Sequence, residues 1–416
     1  MLKKIEKCRI CGNRNLVGIL DLGVQALTGV FPEKKEQKVE TAPLELVKCE
    51  DRKDGSACGL VQLCHSFDLD QLYGGNYGYR SGLNPSMVAH LNEKVGKILK
   101  VVPLFPGDLV LDIGSNDSTL LQAYPENGAT LVGIDPTALK FRKFYPEHIS
   151  YIADFFPSAE FRKKYGDKKA KIITSISMFY DLEDPMSFAG SVYDALSADG
   201  IWVFEQSYMP AMIAKLSYDT VCHEHLEYYA LTQIKWMLDR TGFKIIDVEF
   251  NEINGGSFSV TACRKDSKYR ENSGQVSEIL NKEKKYGIDS LIPFQSFRKK
   301  ILSHRDALRA FLDKMKKENN LVLGYGASTK GNVLLQYCGI TSGLLPAIGE
   351  VNRDKFGHYT PGTLIPIIPE KEAKEKNPYC FMVLPWHFRE FILKKEKSYL
   401  DRGGRFLFPL PEMEIV

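Results

Sequence analysis

The segment Leu109-Val-Leu-Asp112-Ile-Gly114-Ser-Asn116-Asp-Ser118-Thr-Leu-Leu-Gln constrains the fold of this chain more than any other. Its opening apolar run reads as a buried strand, its glycine as a turn, and the residues after Ser118 as the start of a helix. A strand, turn and helix in that order begin a parallel sheet covered on both faces, because parallel strands need a crossover between them. Leu131-Val-Gly-Ile-Asp135 is a second short apolar strand ending in a carboxylate, and Tyr151-Ile-Ala-Asp154-Phe155 is a third. Strands and helices alternate in this way as far as Arg264, which predicts an α/β domain.

The three strand ends suit a nucleoside-type cofactor. Gly114 lets the backbone approach a ligand, and a carboxylate at Asp112 suits an amino-bearing cofactor better than a pyrophosphate, which favours S-adenosylmethionine (SAM) over NAD. Asn116 lies in the same turn. Asp135 falls about 20 residues beyond it, where an acid accepts ribose hydroxyls. Asp154 is expected at the adenine amino group and Phe155 on its ring face. Any one of these acids could instead cap a helix, but three in succession are harder to explain that way. Here the chain resembles the class I, Rossmann-like methyltransferases, with Gly114-Ser-Asn-Asp-Ser118 standing where the usual pattern is G-x-G-x-G.

Nine cysteines, an odd number, fit a reducing compartment, and four fall early as Cys8-Arg-Ile-Cys11, Cys49 and Cys58, with Cys64 close behind. Two thiolates two residues apart can bite one tetrahedral Zn²⁺ and a second pair closes the shell, so the expectation is structural zinc. Eight residues separate Cys49 from Cys58, and the charged stretch between them reads as an inserted loop. The alternative is a set of free or buried thiols. The 55 basic and 52 acidic residues of the 416 are spread evenly, for a net charge of +3, which argues against a nucleic-acid partner. No apolar run suits a signal peptide or a bilayer span, so a cytoplasmic protein with no membrane partner is expected, as monomer or homodimer.

The densest titratable segment is Tyr218-Asp-Thr-Val-Cys222-His223-Glu224-His225-Leu-Glu227-Tyr228-Tyr229. It is not a zincin helix, since the residue four after His223 is Glu227. Extended backbone would put His223 and His225 on one face with Glu224 opposite. A histidine held by a carboxylate takes a proton near neutral pH, and a neighbouring hydroxyl such as Tyr79 can stabilise an oxyanion. The competing reading is a satisfied polar network beneath the sheet.

With this motif, the whole chain resembles the nucleotide-sugar C-methyltransferases, from Cys8-x-x-Cys11 through Cys58-Gly-Leu-Val-Gln-Leu63, Tyr77-Gly-Tyr79-Arg-Ser81 and Asp112-Ile-Gly-Ser-Asn-Asp117 to Cys222-His-Glu-His225. The resemblance implies a zinc-bearing N-terminal domain (1–70), a SAM-dependent methyltransferase domain (71–285) and a C-terminal Rossmann-like α/β domain (286–416) that helps hold the nucleotide-sugar substrate. It also implies that His225 is the base. Many members carry Tyr where this chain has Cys222, and a thiol is a poor donor, so Tyr79, His223 or Glu224 would take over oxyanion stabilisation. An O-methyltransferase using the same scaffold is the rival within enzymes.

Near the C-terminus, Leu321-Val-Leu-Gly324-Tyr-Gly326-Ala-Ser-Thr-Lys330-Gly-Asn332 is another strand running into a glycine-rich turn. It satisfies neither G-x-G-x-x-G nor Walker A, so what remains is a turn whose amides could receive a phosphate beside Lys330. Val351-Asn352-Arg-Asp-Lys355-Phe-Gly357 and Val383-Leu-Pro-Trp386-His387-Phe-Arg389 resemble the same family's C-terminal domain, and this face, with Asn332, Asn352 and Lys355, is expected to hold the nucleotide diphosphate. A degenerate half that only packs is the alternative. Asn254-Gly255-Gly256-Ser257 reads as a tight turn near the acceptor, and Asn281-Lys-Glu-Lys-Lys-Tyr286 as a solvated helix face or linker.

Overall fold

The computed structural model describes residues 2–51, 57–67 and 79–416. The expected 70/71 boundary, most of the loop before Cys58, and Tyr77 of the Tyr77-Gly-Tyr79 motif lie outside the described residues.

Around the first expected turn, seven strands form one sheet in the order Phe243–Asn251, Ser257–Arg264, Leu196–Ser207, Ala170–Ile176, Leu109–Ile113, Thr130–Ile134, Ile149–Ile152. The last five are parallel, and Ser257–Arg264 runs antiparallel to both its neighbours. All five residues of Leu109–Ile113 are buried, as expected for a central strand covered on both faces. Strand order reverses between Leu109–Ile113 and Ala170–Ile176, which opens a crevice beyond their carboxyl ends. The helix Pro85–Val101 covers one face; Asn84 caps it, and its buried Lys94 pairs with Glu205 and Glu249 of the sheet.

The C-terminal sheet has six strands in the order Ile367–Pro369, Ile348–Glu350, Val322–Tyr325, Cys380–Val383, Phe406–Phe408, Glu414–Ile415, parallel except for the last pairing. The 26-residue helix Ile292–Lys317 leads into it and buries Phe294, Phe297, Ile301, His304, Leu308, Leu312 and Met315, a spacing of three and four that makes one apolar stripe. Each fully buried aromatic or aliphatic side chain of such a stripe contributes about 1.5–3 kcal/mol.

The N-terminal sheet is antiparallel and contains Leu16–Ala26, Thr41–Cys49 and Val61–Leu63. Its fourth strand comes from far along the chain: Glu227–Tyr228 pairs with Gln62 and Val61, immediately after the histidine motif. Two cores cross the domains. One joins Leu20 and Leu44 to Tyr218, Val221 and Cys222 and on to Val322 and Val383; the other joins Cys8, Cys49 and Cys58 to Leu111 and Trp202. The three modules therefore share their interiors. The stretch expected to be a solvated helix face or linker lies in the helix Ser273–Tyr286, and its Glu283 is buried: it accepts hydrogen bonds from the Leu231 and Thr232 amides and the Tyr208 hydroxyl. A carboxylate at the start of the helix Leu231–Arg240 satisfies donors that would otherwise have no partner. Among the described residues, no helix is long and apolar enough to cross a membrane.

Candidate functional site

A cleft of about 370 Å³ opens at the reversal point of the seven-stranded sheet, a size suited to a nucleoside-type ligand. Asp112, Gly114, Asn116, Asp135, Asp154 and Phe155 all line it. The turn carries left-handed backbone at every second residue: Gly114 at φ 78°, Asn116 at 49° and Ser118 at 63°. These are the three glycine positions of G-x-G-x-G, so the departure in sequence preserves the backbone path, with Asn116 and Ser118 in a conformation that costs most other residues more. Gly114 is required twice over, by its φ and because a Cβ there would lie 2.9 Å from Met178.

Asp135 does structural work inside the cleft. Its two oxygens accept from the Asn116 amide at 2.8 Å and from the Thr137 amide and hydroxyl at 2.6 and 2.5 Å. Spare lone pairs remain for ribose hydroxyls, since each carboxylate oxygen accepts more than one hydrogen bond. Burial raises the pKa of Asp112 to about 7, and the Thr174 hydroxyl, donating at 2.5 Å, opposes the shift. Phe155 is 42% exposed at the cleft, a free ring face for a base. Tyr79 lies at the same cleft; its carbonyl accepts from the Asn116 side-chain amide at 3.2 Å. These donors, acceptors and ring face fit SAM.

The histidine motif is not extended. The His225 amide donates to the Cys222 carbonyl at 3.2 Å, closing a turn over His223 and Glu224, so the expected shared face for the two histidines is not formed. His223 is wholly buried against the N-terminal module, its Nε2–H donating to the Ala42 carbonyl at 3.2 Å with the edge of Phe67 beside it. Burial lowers its pKa to about 4. Glu224 faces the same module and accepts from the Thr28 hydroxyl at 3.4 Å. Cys222 is buried in the shared core.

His225 turns the other way. A carbonyl only accepts, so its contact with Thr220 at 2.9 Å puts the ring proton on Nδ1 and leaves Nε2 as the basic nitrogen. Burial, and then the charge of Lys330, lower its pKa to about 3, so the ring is neutral at physiological pH. Its ring meets Tyr180 edge-on at 4.4 Å, and the Leu226 amide donates to the Tyr180 carbonyl at 2.8 Å. The next residue, Asp181, lines the cofactor cleft. The motif is thereby docked on the cleft wall.

Sequence reasoning placed Lys330 and the Trp386-His387 segment on the substrate face, but it did not single out Ser217 or Asp219, nor the approach of Lys330 to this histidine. Lys330 Nζ donates to the Asn254 carbonyl at 2.8 Å, and burial, with the Lys330 charge second, lowers the pKa of His387. Trp386 Nε1 donates to Asp219 at 2.8 Å. Among the described residues, buried Asp219 Oδ1, His387 Nδ1 and Ser217 Oγ have no hydrogen-bond partner. They gather about Asn254-Gly255: a Cβ on Gly255 would lie 3.7–3.8 Å from Ser217, His387 and Trp386. Asn254, Gly255 and Gly256 all have positive φ, and of the three only Asn254 carries a Cβ in that left-handed backbone. Asp219 lay within the titratable run, and its density of polar groups was the available signal.

The glycine-rich turn of the C-terminal sheet is largely committed. Glu350 accepts from the Ala327, Val351 and Asn352 amides, and Ser328 caps the following helix through the Gly331 amide. Gly326 has φ 77°, and a Cβ there would lie 2.8 Å from Pro385, so packing accounts for that glycine. Lys355 Nζ donates to the Ala327 carbonyl at 2.7 Å and lies over the ring of Phe31, while buried Asn332 donates to the Thr28 carbonyl at 2.8 Å. The Asn352 side chain caps the Asp354 amide. The segment Thr28–Pro32 thus lies against this turn, with the Tyr359 amide donating to the Pro32 carbonyl at 2.8 Å.

In the N-terminal module, Cys8, Cys11, Cys49 and Cys58 bring their sulfurs within 4.8 Å of one another. Cys8 and Cys58 are 3.5 Å apart and Cys11 and Cys49 3.4 Å, close to the edges of a tetrahedron around one zinc. The Asn13 side-chain amide donates to the Cys49 sulfur at 3.4 Å, an outer-shell hydrogen bond of the kind that orients a ligand. The four thiols fit structural zinc, and the irregular second spacing is no obstacle to the cluster.

Three family profiles match the chain in succession: a zinc binding domain over residues 8–73, a methyltransferase domain over 87–248 and a C-methyltransferase C-terminal domain over 252–411. The C-methyltransferase NovU of Streptomyces niveus is 27% identical over 420 residues, covering 100% of this chain and 98% of that protein. Similar solved structures include an S-adenosylmethionine dependent methyltransferase from Mesorhizobium loti, 17% identical over 41% of this chain and 96% of that one, with a TM-score of 0.34. Another is LepI in complex with SAM, 14% identical over 44% of this chain and 54% of that one, with a TM-score of 0.34.

Proposed function

We propose that this chain, a SAM-dependent methyltransferase carrying the zinc binding domain and the C-terminal domain of C-methyltransferases, methylates a carbon of a nucleotide-linked keto-deoxysugar. The observation that carries the reading is His225, a neutral imidazole with Nδ1 satisfied by Thr220, Nε2 available and the Lys330 ammonium nearby. A ketone acidifies the neighbouring C–H bond. Nε2 of His225 takes that proton and the electron pair moves into the enolate; SAM, when bound in the cleft, would supply the methyl to that carbon, its sulfur–methyl bond breaking to leave S-adenosylhomocysteine.

Positioning and charge stabilisation carry most of the rate. With a buried thiol at Cys222, the anionic oxygen needs another donor, and Lys330, whose charge acts on His225, is suited to that role. Burial lowers its pKa, and the neighbouring Asp219 opposes that shift. The unpartnered polar atoms of Ser217, Asp219 and His387 are suited to sugar hydroxyls, with the left-handed Asn254 turn as the wall between them. The nucleotide end then lies against the C-terminal domain, whose wall Asn332, Asn352 and Lys355 stiffen through their own hydrogen bonds rather than by touching the ligand.

The test is mass spectrometry of the protein with methyl-labelled SAM and a panel of nucleotide-4-keto-6-deoxysugars, expecting the gain of one methyl on a sugar. His225→Ala should lower kcat by about 10²–10⁴-fold while SAM binding survives. With S-adenosylhomocysteine in place of SAM, solvent deuterium should enter the unmethylated acceptor's α-position; a product methyl found on oxygen by NMR, with no such exchange, would mean O-methyl transfer.

A further inference from the structure

Cys8 and Cys11, two ligands of the zinc module, are separated by Arg9-Ile10, and Arg9 points away from the metal cluster into the methyltransferase domain. Its side chain is 3% exposed. Nη1 donates to the Leu63 carbonyl at 2.7 Å, and Nη2 donates to the Ser66 hydroxyl at 2.9 Å and the His65 carbonyl at 3.3 Å. The planar fork is thus fixed within its own module. Nε then lies 3.6 Å from Glu227 and 3.7 Å from Glu183.

Both carboxylates lie beside parts of the candidate site. Glu183 lines the cofactor cleft, and the Ser66 hydroxyl donates to it at 2.7 Å. Glu227 follows His225 by two residues, is buried, and belongs to the strand that completes the N-terminal sheet. Among the described residues, Arg9 is its one ion-pair partner. Burial holds the Glu227 carboxyl well above the usual carboxylate range and the Arg9 charge opposes that shift; without Arg9 the group loses its one cation, and any move toward water disturbs the strand that anchors the His225 turn.

We propose that Arg9 is a positioning residue that transmits the order of the zinc knuckle to the cofactor cleft through Glu183 and to the base through Glu227. Metal binding fixes the backbone on either side of Arg9, so the knuckle sets the geometry of SAM binding as well as holding its own module together. The inference concerns the cofactor and the base, and it stands whether or not the acceptor is a sugar.

The experiment uses the full chain with Arg9→Gln, Arg9→Lys and the double variant Arg9→Gln/Glu227→Gln. Released zinc is titrated, SAM affinity is measured by calorimetry, and kcat is measured with whichever acceptor is active. Arg9→Gln should retain stoichiometric zinc yet weaken SAM binding and lower kcat, each by about 10- to 100-fold, the usual range for a group that orients a site from the outer shell. Arg9→Lys should fall between it and wild type. Adding Glu227→Gln should recover thermal stability and part of kcat while SAM binding stays weak, because Glu183 still lacks its cation. This split also serves if Arg9→Gln alone folds poorly. Wild-type SAM affinity in a zinc-loaded Arg9→Gln chain would overturn the proposal. So would loss of zinc in step with SAM affinity across all three variants, which would make Arg9 only a prop of the module.

Discussion

The turn after Leu109–Ile113 and the turn after Val322–Tyr325 occupy equivalent places in their sheets, each where strand order reverses and each followed by an acid at the end of the neighbouring strand. In both, that acid accepts amides of its own turn: Asp135 those of Asn116 and Thr137, Glu350 those of Ala327, Val351 and Asn352. What differs is the space in front. The first turn faces an open cleft, whereas the second lies under Pro385, Lys355 and the segment Thr28–Pro32. One nucleotide-type scaffold has kept a pocket, and the other has become a bearing surface on which the N-terminal module and the histidine motif rest.

Exchanging the two acids is the strongest way to break this comparison. Asp135→Ala should weaken SAM binding by about 100-fold, since two ribose hydroxyls lose a charged acceptor, whereas Glu350→Ala should lower the melting temperature and leave SAM affinity within about twofold. Equal losses of SAM affinity, measured by calorimetry, would mean that both turns serve the cofactor. Next in size, Gly326→Ala should cost about 2 kcal/mol of stability in urea unfolding, from left-handed backbone and collision with Pro385, with no change in SAM affinity.

The motif between the two units adds a pH signature. His223 is neutral in the fold with its pKa pushed down from 6.5 to about 4, so between those values the unfolded chain binds more protons. Its contribution is present above pH 6.5 and is lost as pH falls toward 4, on the order of 2 kcal/mol by pH 5. Denaturant midpoints across pH 5–7 should show that slope, and His223→Gln should flatten it. The smallest effect is expected from Phe155→Ala, whose half-exposed ring contributes about 1 kcal/mol to stacking, a SAM Kd raised about fivefold.

Much of the first unit was legible because its signals are local. The buried strand, the glycine turn and three strand-end residues sit within a few positions of the groups they serve, and the four cysteines announce themselves by chemistry. The left-handed Asn116 and Ser118 were not legible, since residue type alone does not reveal that a glycine path has been kept without glycine. Long-range partners were also hidden. The turn in the histidine motif follows from what packs on either side, Ala42 and Thr28 toward one module and Tyr180 toward the other. Glu283 read as surface because its neighbours are lysines, yet it caps a helix some distance back along the chain.

The borrowed strand Glu227–Tyr228 has a consequence for the order in which the chain matures during synthesis. The ribosome delivers Leu16–Leu63 first, but the Val61–Leu63 edge of that sheet stays unpaired until the whole parallel core of the middle domain has emerged. An open, apolar edge is a template for pairing with other chains. Early zinc capture by Cys8, Cys11, Cys49 and Cys58 would hold the nascent module compact through that interval. A cell short of zinc should therefore accumulate this protein as aggregate from newly made chains, while molecules completed beforehand persist.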